Sequence, residues 1–135
     1  MRMLCYSSAA RMVAAAVAHA ESNGWTVAVA VLDPSGHVLA SGRMDGAAPP
    51  ILDFAADKAF TATLGKTSLA FGERMAQLKS LEMGVATRDR LLTWEGGLPI
   101  REDGVLIGAI GVSGASGHED AACAQAAIEA EGLEA

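Results

Sequence analysis

Residues 96–100 read Gly96-Gly97-Leu98-Pro99-Ile100, and Gly104-Val105-Leu106-Ile107-Gly108-Ala109-Ile110-Gly111-Val112-Ser113-Gly114 follows closely. The residues between these glycines are small, aliphatic or β-branched, which suits a strand. Glycine inside a strand loses packing and costs backbone entropy. At this density it marks a place where another backbone, a helix or a ligand comes close. Asp103-Gly104 is a strong turn signal. Residues 98–100 and 105–112 are therefore expected to form a hairpin around Arg101-Glu102-Asp103-Gly104, with a site nearby.

The same logic extends upstream. Residues 25–32 alternate valine with alanine and read as a buried strand. Asp33-Pro34-Ser35-Gly36 is a turn signature, and residues 37–42 return as the second strand of a first hairpin. An alanine-rich helix is expected over residues 7–23, with Gly24 just past its end. Residues 51–64 have helical spacing through Phe54, Ala55, Lys58, Ala59 and Ala62. Thr67 or Ser68 can cap a further helix to about residue 78, and residues 80–93 read as a polar loop with a short helical turn. Ser116 or Gly117 opens a last helix to about residue 131, with Glu119 and Asp120 favoured by the dipole of its first turn. The order is helix, hairpin, helices, hairpin, helix. It predicts one α+β domain over residues 1–135, with helices flanking an antiparallel sheet of about five strands.

Composition excludes several classes of function. The net charge is 10 − 16 = −6, and there are only two Trp, one Tyr and three Phe. Such a chain offers neither a basic stripe for phosphates nor a stacking platform for bases, so no nucleic acid is expected. Cys5 and Cys123 are the only cysteines and form no metal-binding or disulfide pattern, which fits a reducing cytoplasm. Arg2, the apolar residues 12–18 and Ala18-His19-Ala20 mimic an export signal, but Arg11 interrupts the run and a first helix is the better reading. No stretch reaches the roughly 20 apolar residues of a membrane span.

Candidate chemistry is sparse. His19, His37 and His118 share no ligand spacing, so no zinc site is expected. A single axial histidine needs no spacing motif, and His118, just after the glycine strand, is the best placed. Ser113 imitates a nucleophile elbow, but Ala115 stands where that motif needs glycine; a turn capping the last helix is favoured. Arg43 and Asp45 lie two apart at the end of the first hairpin. Lys58 sits on an apolar helix face, where it must pair, snorkel or bind something. A structural pair between hairpin and helix competes there with contact to a ligand. Glu95 could move a proton if it faced a pocket, and the Gly96-Gly97 amides could hold a carboxylate or oxyanion.

Taken in order, several landmarks resemble one family. They are Val27 to Gly36, Arg43-Met44-Asp45-Gly46-Ala47, Ala56-Asp57-Lys58-Ala59-Phe60-Thr61-Ala62, Gly96-Gly97-Leu98-Pro99-Ile100, Gly108 to Gly114, and Glu119-Asp120. They resemble the GlcG/HbpS-like family of small haem-binding and haem-degrading-type proteins, which also includes the corrinoid-binding C-terminal domain of PduO-type adenosyltransferases. The resemblance implies a profilin-like sandwich that assembles into homo-oligomers. Its motif positions here are Arg43, Asp45, Gly46, Lys58, Thr61, Gly96, Gly97, Pro99, Ser113 and Asp120.

Two functions follow as expectations. One is a small-molecule binding protein, with haem or a corrinoid as candidate ligand, contacted by Arg43, Gly96, Gly97, Pro99, Ser113 and His118. The alternative is a cofactor-free isomerase, deaminase or hydrolase acting on a small carboxylate, with Glu95, Lys58 and Asp45 as its catalytic groups.

Overall fold

The computed structural model describes residues 2–135. Helix α1 (Tyr6–Ser22) leads into strands β1 (Ala28–Leu32) and β2 (Val38–Arg43). Three helices follow: α2 (Pro50–Ala62), α3 (Ser68–Met75) and α4 (Lys79–Val85). Strands β3 (Gly97–Glu102) and β4 (Val105–Ser113) form the second hairpin, and α5 (Gly117–Ala130) comes after them. The sheet is antiparallel throughout, in the order β2-β1-β4-β3.

Four strands, not five, make this sheet. Beyond β3 the next place is held by a single bridge, in which Arg101 and Glu134 exchange backbone hydrogen bonds. The chain supplies only two hairpins with strand patterning, and one bridging pair does not amount to a fifth strand. The other difference lies in residues 79–85, which form helix α4 where a mostly irregular loop was expected. That helix buries none of its residues, so its sequence lacks the apolar stripe that would announce it.

The sheet has two unlike faces. Val29, Val31, Leu98, Ile100, Ile110 and Val112 join Met12, Ala16, Ala20, Ala124 and Ile128 of α1 and α5 in the main core. On the other face, Ala28, Ala30 and Ala109 meet Ala55, Ala59 and Ala62 of α2. Gly97 and Gly111 belong to this second face. A Cβ on Gly111 would overlap the Ala55 carbonyl oxygen, and one on Gly97 would overlap that of Lys58. Helix α2 therefore rests on β3 and β4 with backbone against backbone. At these two positions the glycine is explained by a close helix, with no ligand needed.

Caps and ties fix the remaining helices. The Thr67 hydroxyl accepts from the Ala70 amide at 3.0 Å to start α3. Ser116 and Glu119 form a reciprocal capping box at the start of α5. At its other end, Glu131 accepts from the Ser8 hydroxyl at 2.5 Å and from Arg11 at 2.9 Å, tying α1 to α5. Arg11 and Ser8 together hold the Glu131 carboxyl below its ordinary range.

Two glycine substitutions separate packing from propensity. Gly111→Ala should destabilise by about 3 kcal/mol, because α2 must lift off the sheet. Gly84→Ala in α4, where a Cβ meets nothing within 4 Å, should stabilise by about 0.5 kcal/mol. Urea unfolding of both variants checks this. The Glu131 tie also sets a pH dependence. The folded carboxyl binds its proton more weakly than the unfolded one, so the stabilisation is present above the unfolded pKa and is lost as pH falls through the lower folded pKa. Glu131→Gln should therefore lower the melting temperature at pH 7, and the gap from the parent chain should close on acidification.

Candidate functional site

The site is organised around an ion pair sealed inside the protein. Helix α2 carries Lys58 to the sheet margin where the chain bends at Gly96. Its ammonium donates to the Val112 carbonyl at 3.0 Å and to Asp120 Oδ2 at 3.0 Å. Asp120 stands in the first turn of α5, and its Oδ1 accepts from the Ala115 amide at 3.0 Å. Both side chains are almost wholly buried. Burial raises the Asp120 carboxyl above its ordinary range, while Lys58 and the Ala115 amide pull the other way. Gly96 is required beside this pair. Its φ is +134°, and a Cβ there would lie 2.5 Å from the Val112 oxygen and 3.0 Å from the Lys58 nitrogen.

Residues 94–96 form a wall between two clefts of about 310 Å³ each. The first is largely apolar, lined by Leu69, Leu98, Ala121 and Ala122, with His118 and Glu95 among its polar groups. The second is lined by Ile51, Phe54 and Trp94, with Lys58, Asp120 and Ser113 also contributing. Glu95 faces both clefts and packs so tightly on the start of α5 that a Cβ on Gly117 would sit 2.9 Å from its own Cβ. His118 follows Gly117 and is exposed at the opening of the first cleft.

The structure thus gathers Lys58, Glu95, Gly96, Gly97, Ser113 and His118 around one wall. The other expected residues lie elsewhere. Arg43 is exposed on β2, and its guanidinium donates to the Ala47 carbonyl at 2.5 Å. It stands opposite Ala28, which stands opposite Ser113, so two strand spacings, about 10 Å, separate Arg43 from the clefts. Asp45 is exposed beyond the end of β2 and lines neither cleft. Pro99 is fully buried on edge strand β3, where its missing N–H costs no ladder bond.

Two expected roles change. The structural partner of Lys58 is Asp120 on the last helix, in place of a hairpin acid. The Gly97 amide donates to the Ser68 hydroxyl at 2.8 Å, and that hydroxyl donates to the Trp94 carbonyl at 2.7 Å. Gly97 is therefore committed to holding the wall and presents no free amide to an oxyanion. Thr61 does similar work: its hydroxyl accepts from the Leu92 amide at 2.8 Å and donates to the Asp57 carbonyl. Ser68, the Phe54–Trp94 pair and the Asp120 partnership escape the sequence. Only the last left a signal, since a lysine on an apolar face demands an acid. Among the described residues, no group of three His, Cys, Asp or Glu could hold a metal ion, and no helix is long and apolar enough to cross a membrane.

Comparison with known proteins agrees with this architecture. The family model described as "Haem degrading protein HbpS-like" matches residues 4–129. Protein GlcG of Escherichia coli K12 is 39% identical over 111 residues, covering 82% of this chain and 81% of that protein. A double mutant of Streptomyces reticuli HbpS superposes with a TM-score of 0.87 at 34% identity, covering 96% of this chain and 88% of that one. A PduOC:heme complex superposes with a TM-score of 0.86 at 30% identity, covering 98% and 97%.

The buried pair can be tested by unmaking it in two ways. Lys58→Met leaves a buried carboxylate without its counter-charge and should cost about 3–5 kcal/mol. Lys58→Met combined with Asp120→Asn removes both charges but keeps an oxygen for the Ala115 amide. It should regain about half of that loss in urea unfolding. Equal destabilisation of the single and double variants would show that the charges do not act as a pair.

Proposed function

The chain belongs to the HbpS-like family, and on that premise we propose that it binds a planar tetrapyrrole, with haem the first candidate and a corrinoid the second. The observation that carries this is the lone imidazole of His118 at the opening of an apolar cleft. A single axial ligand needs no companion residues at fixed spacing. Leu69, Leu98, Ala121 and Ala122 offer the apolar walls that a macrocycle face requires. The PduOC:heme complex, of closely similar fold, supports the same ligand class.

The donor set suits such a group in one orientation. Glu95 is the charged side chain in the cleft and repels carboxylates. The carboxylates of a haem would be disfavoured beside Glu95 and would lie toward solvent, while Leu69 and Ala122 would contact its apolar part. Lys58 and Arg43 do not line this cleft and take no part in holding propionates. A bound haem would supply an iron centre with one coordination position taken by His118. The chain's own contribution is to orient the imidazole from the first turn of α5 and to keep water off one face of the ring. Gly96 and Gly97 shape the cleft, and Ser113 lies on the neighbouring cleft.

The proposal includes two further features. Helix α4 buries nothing, and Leu78 and Met83 are exposed, which supports assembly into a homo-oligomer. Two free cysteines, Cys5 exposed and Cys123 buried, support a reducing cytoplasmic setting.

Haemin titration of the apo-protein, followed in the Soret region, tests the function. Saturable one-to-one binding is expected. His118→Ala should shift the Soret maximum and weaken binding by at least about tenfold, equivalent to about 1.4 kcal/mol. Ala122→Phe should fill the cleft and weaken binding while leaving the fold intact. Binding that is unaltered in both variants would place any tetrapyrrole elsewhere and overturn the proposal.

A further inference from the structure

We propose that the cleft beneath Trp94 is a second binding site, distinct from the His118 cleft, for a small, flat, uncharged molecule carrying an amide-like or hydroxy-carbonyl group. Its walls are apolar and aromatic. Phe54 and Trp94 meet edge to face, with ring centroids 5.3 Å apart at 77°. Trp94 remains 54% exposed, and Ile51 continues the wall. An aromatic surface left this open is what a flat apolar body would cover.

The polar groups of the cleft define the rest of the ligand. Lys58 lies on its lining with two acceptors engaged, the Val112 carbonyl and Asp120. An ammonium has three N–H donors, so one remains for an acceptor atom of the ligand. Ser113, also on the lining, adds a hydroxyl that can donate or accept. Glu95, on the same lining, is an acceptor and calls for a donor. A ligand with a carbonyl directed inward and an N–H or O–H directed toward Glu95 satisfies all three.

Charge narrows the class further. Asp120 already balances Lys58, and Glu95 adds an uncompensated negative charge. An anionic ligand is repelled by that carboxylate. A cationic ligand would satisfy Glu95 but would bring a second positive charge toward Lys58 and leave its free N–H without an acceptor. An uncharged group with adjacent acceptor and donor avoids both conflicts. The cleft, at about 310 Å³, suits a single ring with one substituent.

Benzamide, benzoate and benzylamine, which share a ring and differ in charge, test the site on the haem-free chain. Titrations are read in the backbone amide resonances of Gly114 and Gly117, which line this cleft and not the other. The choice of reporter makes the outcome independent of whether a tetrapyrrole binds near His118. Benzamide should bind saturably, with benzoate and benzylamine each at least tenfold weaker. Glu95→Gln should bring benzoate within about threefold of benzamide, and Trp94→Leu, an exposed change, should weaken benzamide at least tenfold. The proposal is overturned if benzamide fails to saturate, if either charged probe binds as tightly, or if Trp94→Leu leaves benzamide binding unchanged.

Discussion

The backbone of α2 lies directly on the backbone of β3 and β4, and the rest of the structure depends on that contact. Gly97 and Gly111 make it available, since any side chain at either position would occupy the space of a helix carbonyl. Ala28, Ala30 and Ala109 extend the same low surface under Ala55 and Ala59. A helix so close has little room for large side chains. The small apolar residues on its buried face are the consequence, and Lys58 is the exception. Its long stem carries the charge past the sheet margin to the one place where an acceptor carbonyl and an acid await it.

That place determines the geometry of everything functional. Asp120 belongs to the first turn of α5, so the pair joins a helix on one face of the sheet to a helix on the other. A buried ion pair of this kind adds little net stability beyond what an apolar pair would give. Its effect is positional. With Asp120 fixed by Lys58 and by the Ala115 amide, the start of α5 is fixed, and Gly117 and His118 are fixed with it. Glu95 then has one place to lie, against Gly117. Ser68 holds the other side of the wall by bridging the Gly97 amide and the Trp94 carbonyl.

Most of the scaffold was legible in the sequence because it rests on local rules. Valine alternation marked β1, Asp-Gly marked the second hairpin, and Ser116 with Glu119 marked the start of α5. Glycine density in β4 was correctly legible as close approach, but a ligand and a helix exclude a Cβ equally well, so the pattern alone could not say which was there. Helix α4 was hidden because it buries nothing, and the bridge at Arg101 because a single pair leaves no periodicity. The site was harder for a different reason. Lys58 visibly needed an acid, yet Asp45, Asp57 and Asp120 were all near some element it could meet; only the packing of α5 against the far face of the sheet selects Asp120. Arg43 and Asp45 looked functional as charges at a strand end. In three dimensions that strand lies two places away from the clefts.

The division between sealed and open residues explains how one scaffold can serve more than one ligand. Gly97, Gly111, Thr61, Lys58 and Asp120 are buried, and altering them changes how α2, β4 and α5 fit together. Leu69, Ala122, Glu95, Trp94 and His118 border the clefts, and altering them leaves those contacts intact. A motif built from the first group therefore identifies the fold and says little about the bound molecule. Ligand chemistry must be sought mainly in the second group, where one imidazole faces an apolar cleft and a lone carboxylate separates it from an aromatic one; of the first group, Lys58 and Asp120 also line the aromatic cleft. Glu95 is the pivotal residue of that group, because its charge turns carboxylates away from both clefts at once. For a macrocycle bound in the first, it would direct the acidic edge outward. In the second it would favour the uncharged ligand we propose.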